Sequence, residues 1–169
     1  MKLTQFNTKL GPMIAIADEY VLHLLEFIGR RGLELEIEQL KLKTKSNITA
    51  GMTIPLISIQ QELDLYFAGD LKEFKTPIVF SGTTFQQRVW EQLQKIPYGE
   101  TRSYAEIATA IGQPTAFRAA ANANGCNQLA IIIPCHRVIN SNGKLGGYGG
   151  GIENKRWLLN HEKAGNKKW

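Results

Sequence analysis

The segment Pro134-Cys135-His136-Arg137 is where this chain could carry out covalent chemistry. A cysteine attacks as its thiolate, and a free thiol titrates near ~8.5, so a nucleophilic Cys135 needs a proton acceptor close by. His136 is its neighbour in sequence. Consecutive residues of an extended chain point to opposite faces, however. His136 therefore reaches the sulfur only where the backbone bends, or through a bridging water. A carboxylate normally orients such a histidine. Glu162, in His161-Glu162-Lys163, is a candidate that spacing alone does not select. Cys126 lacks an acid–base neighbour and reads as a structural residue. Two cysteines and a single histidine at this spacing match no zinc pattern, so no metal is expected.

These residues need elements to hold them. Leu129 to Ile133 read as a buried strand running into the rigid Pro134, which fixes Cys135 at its end. Residues 143–151 contain six glycines among nine, around Tyr148. They fit neither the dinucleotide pattern, since Ile152 stands where the last glycine would be, nor a phosphate loop. Such a loop suits a flat ring that needs backbone contacts and a stacking edge. Upstream, Thr84-x-x-Gln87 reads as a capping box opening a helix whose face carries Phe85, Val89 and Leu93, with Trp90 as core. A second box, Ser103-x-x-Glu106, opens a short helix with Ile107, Ala108 and Ile111 buried, closed by Gly112. Gln113 then reads as the cap of a third helix with Pro114 in its first position. That helix holds five alanines, and Arg118 is its one long charged side chain. Helix, turn and thin helix together suit approach to a nucleic-acid groove.

The first half has no chemical signature and reads as a scaffold. Residues 10–28 read as a hairpin around Asp18-Glu19. Residues 33–42 alternate Leu and Ile with Glu, which suggests a strand, although the same residues suit a helix. Residues 56–68 read as a helix stopped by Gly69, and 76–80 as a short strand or extended connection.

Charge divides the same way. Residues 1–80 hold nine Lys and Arg against ten Asp and Glu; residues 81–169 hold eleven against five. A basic second half beside a near-neutral first half points to a polyanion surface on one domain. The length of 169 residues allows one large domain or two small ones, and 43% hydrophobic with 21% charged residues fits a globular chain. No apolar run long enough to span a membrane occurs, and the N-terminus lacks the apolar core of a secretion signal. A cytoplasmic location, with both cysteines as thiols, is the expectation.

Ile131-Ile132-Ile133-Pro134-Cys135-His136-Arg137-Val138-Ile139 closely resembles the active-site motif of the O6-alkylguanine-DNA alkyltransferases, the methylated-DNA–protein-cysteine methyltransferases. Phe85 to Trp90, Ile96 to Ala108, Arg118 to Ala123, Gly146 to Gly151 and Trp157 to Glu162 match in the same order, so the clear resemblance covers about residues 80–165. Residues 1–80 resemble the family more loosely, through Gln60 to Phe67.

The resemblance implies an α/β (α+β) fold. A ribonuclease H-like N-terminal scaffold would occupy 1–80, and a mostly helical domain, with a winged helix-turn-helix and the active site, 81–169. It implies that the protein binds double-stranded DNA containing O6-alkylguanine, with O4-methylthymine as a second substrate, and flips out the damaged base. The alkyl group would pass irreversibly to Cys135 without a cofactor. His136 would take the thiol proton through a water, Glu162 would hold His136, and Asn127 would brace the active-site strand. Tyr104 would press on the neighbouring phosphate and give a proton to guanine N3. Val138, Tyr148 and the Gly149 N–H would line the base pocket. Arg118 would fill the gap left by the flipped nucleotide, with Gln113, Thr115, Ala119 and Ser141 also on the DNA surface. The helix would enter the minor groove, where small side chains are needed. The family resemblance implies a monomer in solution and leaves room for cooperative binding along DNA, with the nucleoid as its place of action. Two positions depart from the family pattern. Gln128 follows Asn127 where proline is common, and Gly149 stands where some relatives carry serine. The alternatives are a non-catalytic alkyltransferase-like lesion binder, against which Cys135 argues, and a Cys-His hydrolase, which would not require a basic helix-turn-helix.

Overall fold

The computed structural model describes residues 1–163 and 168–169. The chain forms two compact units, Met1–Ser81 and Gly82–Trp169, each mixing helices with a small sheet.

In the first unit the hairpin expected at 10–28 is present as β2 (Gly11–Ala17) and β3 (Leu22–Phe27), paired antiparallel. Lys2–Thr8, which carries no strand pattern in the sequence, forms β1, antiparallel to β2 along its whole length. Its polar residues hid it: Phe6 alone on this strand is buried. Residues 33–42 are a helix, not the strand that their alternation suggests. Leu33–Thr44 forms α1, burying Leu33 and Leu40 against Ile14, Ile16 and Leu24, with Ile37 packed beside them. Those positions recur at helical spacing. Leu35 and Leu42, which made the pattern look two-fold, lie in solvent. The two-residue β4 (Thr49–Ala50) adds parallel to β1, giving the order β3-β2-β1-β4. Alternation sends Met13, Ala15 and Ala17 to the other sheet face, where they too are buried. The helix α2 (Ile54–Ala68) packs against β1 and β2. Gly69, at φ 89°, stops it: its N–H and that of Asp70 cap the carbonyls of Tyr66 and Leu65. Residues 76–80 are an extended connection that bonds to Leu22 from Pro77 and Val79.

The second unit opens with α3 (Thr84–Gln94). Its capping box is Thr83 with Gln86, one residue before the expected pair. Both Thr83 and Thr84 have glutamine three residues on. The structure uses the earlier pair, and Gln87 donates to the Gly82 carbonyl at 2.9 Å instead. Val89, Trp90 and Leu93 form the buried face, and the Trp90 indole donates to Ala123 O at 2.9 Å. The Ser103–Glu106 box opens α4 (Tyr104–Ala110) as expected.

The third helix starts later than Gln113 suggests: α5 spans Phe117–Gly125. The Gln113 N–H is already committed to Ala108 O, and that of Gly112 to Thr109 O. This is the double closure of a helix C-terminus around a left-handed glycine, so Gln113 finishes α4 and does not cap α5. Residues 113–116 turn, with the Ala116 N–H on Gln113 O. Two short strands, β5 (Arg102–Ser103) and β6 (Val138–Ile139), pair in parallel, and α6 (Ile152–Glu162) closes the unit. No described helix is long and apolar enough to cross a membrane.

Candidate active site

The stretch before Cys135 is buried, but it is not a strand. Ile133 N bonds to Leu129 O at 3.0 Å, Ile132 N to Ala130 O at 2.9 Å, and Cys135 N to Ile133 O at 2.7 Å. The chain folds on itself, and Ile131 takes φ 71°. A β-branched residue in that region carries strain of about 1–3 kcal/mol, which persists only where the surroundings impose it. The side chain of Asn127 does so. Its Oδ1 accepts from Leu129 N at 2.9 Å, and its Nδ2 donates to Ile133 O at 2.9 Å and lies 3.2 Å from Cys135 Sγ. A run of isoleucines looks like a strand because burial is all that composition reports. The turns are set by an asparagine outside the run.

Cys135 then begins one 3-10 turn, Cys135–Arg137. The backbone therefore bends between the adjacent Cys and His. His136 is fully buried, and its Nε2 meets Glu162 Oε1 at 2.8 Å. Its Nδ1 is buried with no hydrogen-bond partner among the described residues. Burial holds the imidazole below its usual range, with Arg137 and Lys155 adding to that and Glu162 opposing it, so the ring is neutral near pH 7. Burial would raise the Glu162 carboxyl, but the facing His136 ring and the Arg137 guanidinium hold it well below the usual carboxylate range. Arg137 grips both oxygens of Glu162, at 2.8 and 3.0 Å, and donates to Ile96 O at 2.6 Å.

The parallel pairing of Arg102 with Val138 delivers Tyr104, the first residue of α4, to this wall. Burial, and then the Cys135 charge, push its phenol up, so Tyr104 keeps its proton. A Cβ at Gly146 would sit 3.2 Å from the Tyr104 hydroxyl, so the Gly-rich loop passes close above it. Among the described residues, no group of three His, Cys, Asp or Glu could hold a metal.

Residues 84–164 match the model of the 6-O-methylguanine DNA methyltransferase DNA-binding domain. A methylated-DNA–protein-cysteine methyltransferase of Methanosarcina acetivorans is 40% identical over 161 residues, covering 93% of this chain and 95% of that protein. This chain belongs to the methylated-DNA–protein-cysteine methyltransferase family. A Mycobacterium bovis protein of the same name is 61% identical over 103 residues, 61% of this chain and 62% of its own length. The fold matches the crystal structure of Mycobacterium tuberculosis OGT in complex with DNA, with TM-score 0.84 and 42% identity, over 96% of this chain and 93% of that one.

In this methyltransferase-family chain, Cys135, His136, Glu162 and Asn127 come together in one buried cluster with Tyr104 beside it. Val138 is buried in β6, directly after the 3-10 turn. Tyr148 is half-buried, and Gly149 and Ser141 are exposed, on the loop between β6 and α6. Gln113, Thr115, Arg118 and Ala119 are all exposed along the turn and α5. Arg118 and Ala119 are on the exposed side of the helix whose buried Asn124 donates to Cys135 O at 3.3 Å.

Three residues of the cluster escaped the sequence reading: Asn124, Arg137 and Lys155. Lys155 is fully buried in α6, and its Nζ donates to Val138 O at 2.6 Å and Gly147 O at 3.2 Å. It ties the strand after the cysteine to the Gly-rich loop. A lysine amid Ile152-Glu153-Asn154 looks like a surface charge. A long cation at one helical turn from Leu158 and Leu159 was the available signal. Burial pulls its ammonium down to about 8, opposed by the Cys135 charge, so each charge favours the other. Lys155→Met is expected to move the pH profile of Cys135 alkylation by iodoacetamide to higher pH. It should also loosen the loop, because the Gly147 carbonyl loses its donor and the buried Val138 carbonyl loses one at about 1–3 kcal/mol. An unshifted profile would remove Lys155 from the electrostatics of the sulfur.

Proposed function

We propose that this protein repairs alkylated DNA by moving the alkyl group of O6-alkylguanine in duplex DNA onto Cys135, once per molecule. The observation that carries this reading is the buried Glu162–His136 pair, whose other imidazole nitrogen has no partner among the described residues, set one residue from a cysteine braced by Asn127.

Glu162 accepts the His136 Nε2–H and so fixes the tautomer with Nδ1 as the base. Nδ1 takes the Cys135 proton through a water. The thiolate attacks the alkyl carbon, and the sulfur–carbon bond forms as the carbon–oxygen bond breaks. The electron pair passes into the guanine ring, where Tyr104 supplies a proton at N3. Tyr104 regains a proton from solvent as His136 releases the one it took from sulfur, so the net change is thiol to thioether. A thioether offers no leaving group, which makes the reaction stoichiometric. Val138, Tyr148 and the Gly149 N–H line the pocket, with O4-methylthymine as a second, smaller substrate.

The DNA surface consists of α4, the 113–116 turn and α5, read as a winged helix-turn-helix, with Ser141 at its edge. The order βββαβα of the first unit supports a ribonuclease H-like scaffold. The protein acts as a monomer in the cytoplasm, on the nucleoid. Extruding the base costs a few kcal/mol, about 3, and Arg118 fills the vacated stack. Exposing the protein to a duplex with one O6-methylguanine should add the mass of one methyl group, mapping to the Cys135 peptide. An unchanged mass at full lesion excess would overturn the proposal. Arg118→Ala should slow transfer from duplex DNA by about 10–100-fold, the size of a lost stacking contact, and leave transfer from the free base untouched. Equal slowing of both would deny Arg118 its place in the stack.

A further inference from the structure

Phe117 is the first residue of α5 and is 46% exposed. The rest of the outward surface of this helix is Arg118, Ala119, Asn122 and Gly125. Phe117 and Arg118 are thus the only large side chains there. They are also paired: the Arg118 guanidinium carbon lies 5.9 Å from the centre of the Phe117 ring. That contact is a cation–π arrangement, which restricts a long, flexible side chain before any partner arrives. The 113–116 turn precedes Phe117, and Gln113, Pro114 and Thr115 in it are exposed as well.

We propose that Phe117 is a second DNA-contacting wedge: it presents Arg118 to the duplex and stacks against the base step beside the extruded nucleotide. The proposal rests on the reading of α5 as the DNA-facing helix. Its chemistry is separate from that of Arg118. An aromatic face is tolerant of base identity, and an apolar ring inserted from the minor groove opens a base step by unstacking it. A helix that is otherwise alanine, asparagine and glycine can come close enough for a short aromatic to reach the stack. The basic excess of residues 81–169 supplies the attraction to the polyanion, to which a phenyl ring adds nothing.

The test compares wild type, Phe117→Ala, Phe117→Leu and Phe117→Tyr in single-turnover methyl transfer, from an O6-methylguanine duplex and from the free base. Phe117→Ala should slow the duplex reaction about tenfold, the size of one lost aromatic–base stack, with the free-base rate unchanged. Phe117→Tyr should restore the duplex rate, while Phe117→Leu should stay slow, because it keeps bulk but lacks a ring. The slope of binding against salt should be the same in all four, since no phosphate contact changes. Duplex transfer by Phe117→Ala at the wild-type rate would overturn the inference. So would equal slowing with the free base, or full activity in Phe117→Leu. Should the wild type itself take up no methyl group, the alkyl-transfer reading falls instead. Wild-type uptake with an unaffected Phe117→Ala sinks the wedge alone.

Discussion

Cys135→Ala is expected to take up no methyl group from lesion DNA while still binding that DNA about as tightly as the unaltered protein. The two halves of this result come from different parts of the second unit. Cys135 is 6% exposed, and its sulfur lies 3.2 Å from Asn127 Nδ2. Removing it deletes the acceptor of the alkyl group. The outward residues of α5 and the 113–116 turn, the DNA surface proposed above, are untouched. Replacing a small buried side chain by alanine costs about 1 kcal/mol, too little to unfold a domain. The measurements are intact mass after incubation with an O6-methylguanine duplex, and electrophoretic mobility with the same duplex. Residual methyl uptake by Cys135→Ala would move the acceptor elsewhere, to a residue such as Cys126. Loss of binding together with transfer would mean that the sulfur also holds the fold. A protein that bound lesions without alkyl transfer would show no mass change with or without Cys135, so the pair of variants also separates a repair protein from a lesion binder.

Much of the second unit was legible because its local signals are chemical. Ser103 and Glu106 satisfy each other's backbone groups, and such reciprocity has few alternatives. The same signal misled by one residue at Thr83 and Thr84, where two overlapping boxes were available and the Gly82 carbonyl claimed Gln87. Gln113 is ambiguous in sequence because a residue between two helices can finish one or begin the next; the bond from its N–H to Ala108 O decides for the first. In the first unit the signals were compositional and weaker. Leucines two apart in 33–42 are consistent with a strand and with a helix that leaves Leu35 and Leu42 in water. Only the packing of Leu33, Ile37 and Leu40 on the sheet selects between them.

Cys135 and His136 stand out as a pair in the sequence, while the residues packed around them do not. Nothing in Ile131-Ile132-Ile133 states that the backbone turns there, since the turns are imposed by Asn127 from outside the run. Arg137 and Lys155 look like two more basic residues in a basic domain. They become part of the site only when long-range packing buries them: Arg137 between Glu162 and Ile96, Lys155 between Val138 and Gly147. Separations of 25 and 41 residues carry no periodicity that a sequence reading can use.

Arg137 is also why Glu162 should be the most damaging position after the cysteine. Glu162→Ala strands a buried guanidinium and removes the orienting partner of His136. Breaking a buried ion pair from one side costs about 3–5 kcal/mol, a large part of the 5–15 kcal/mol that holds a typical domain together. Because that variant can fail to fold, Glu162→Gln is the sharper probe: it keeps the volume and one acceptor oxygen but not the charge. In the wild type, folded Glu162 stays ionised well below the usual carboxylate range, while the unfolded chain takes up this proton near ~4.3. The unfolded state therefore binds more protons in acid, and stability present above that pH is lost as it falls. His136 acts in the same direction. Burial holds its folded form below the usual imidazole range, so protonation of the unfolded chain near ~6.5 already favours unfolding. Urea midpoints should thus decline from about pH 6.5 and fall more steeply near pH 4. In Glu162→Gln the midpoint should be lower at pH 7, with the steep component near pH 4 reduced. Methyl transfer should be slowed even where the variant is fully folded, because amide and carboxylate do not fix the imidazole equally. Should Glu162→Gln match the wild type in both the acid limb and the transfer rate at pH 7, Glu162 would be neither the counter-charge of Arg137 nor the orienting group of the base.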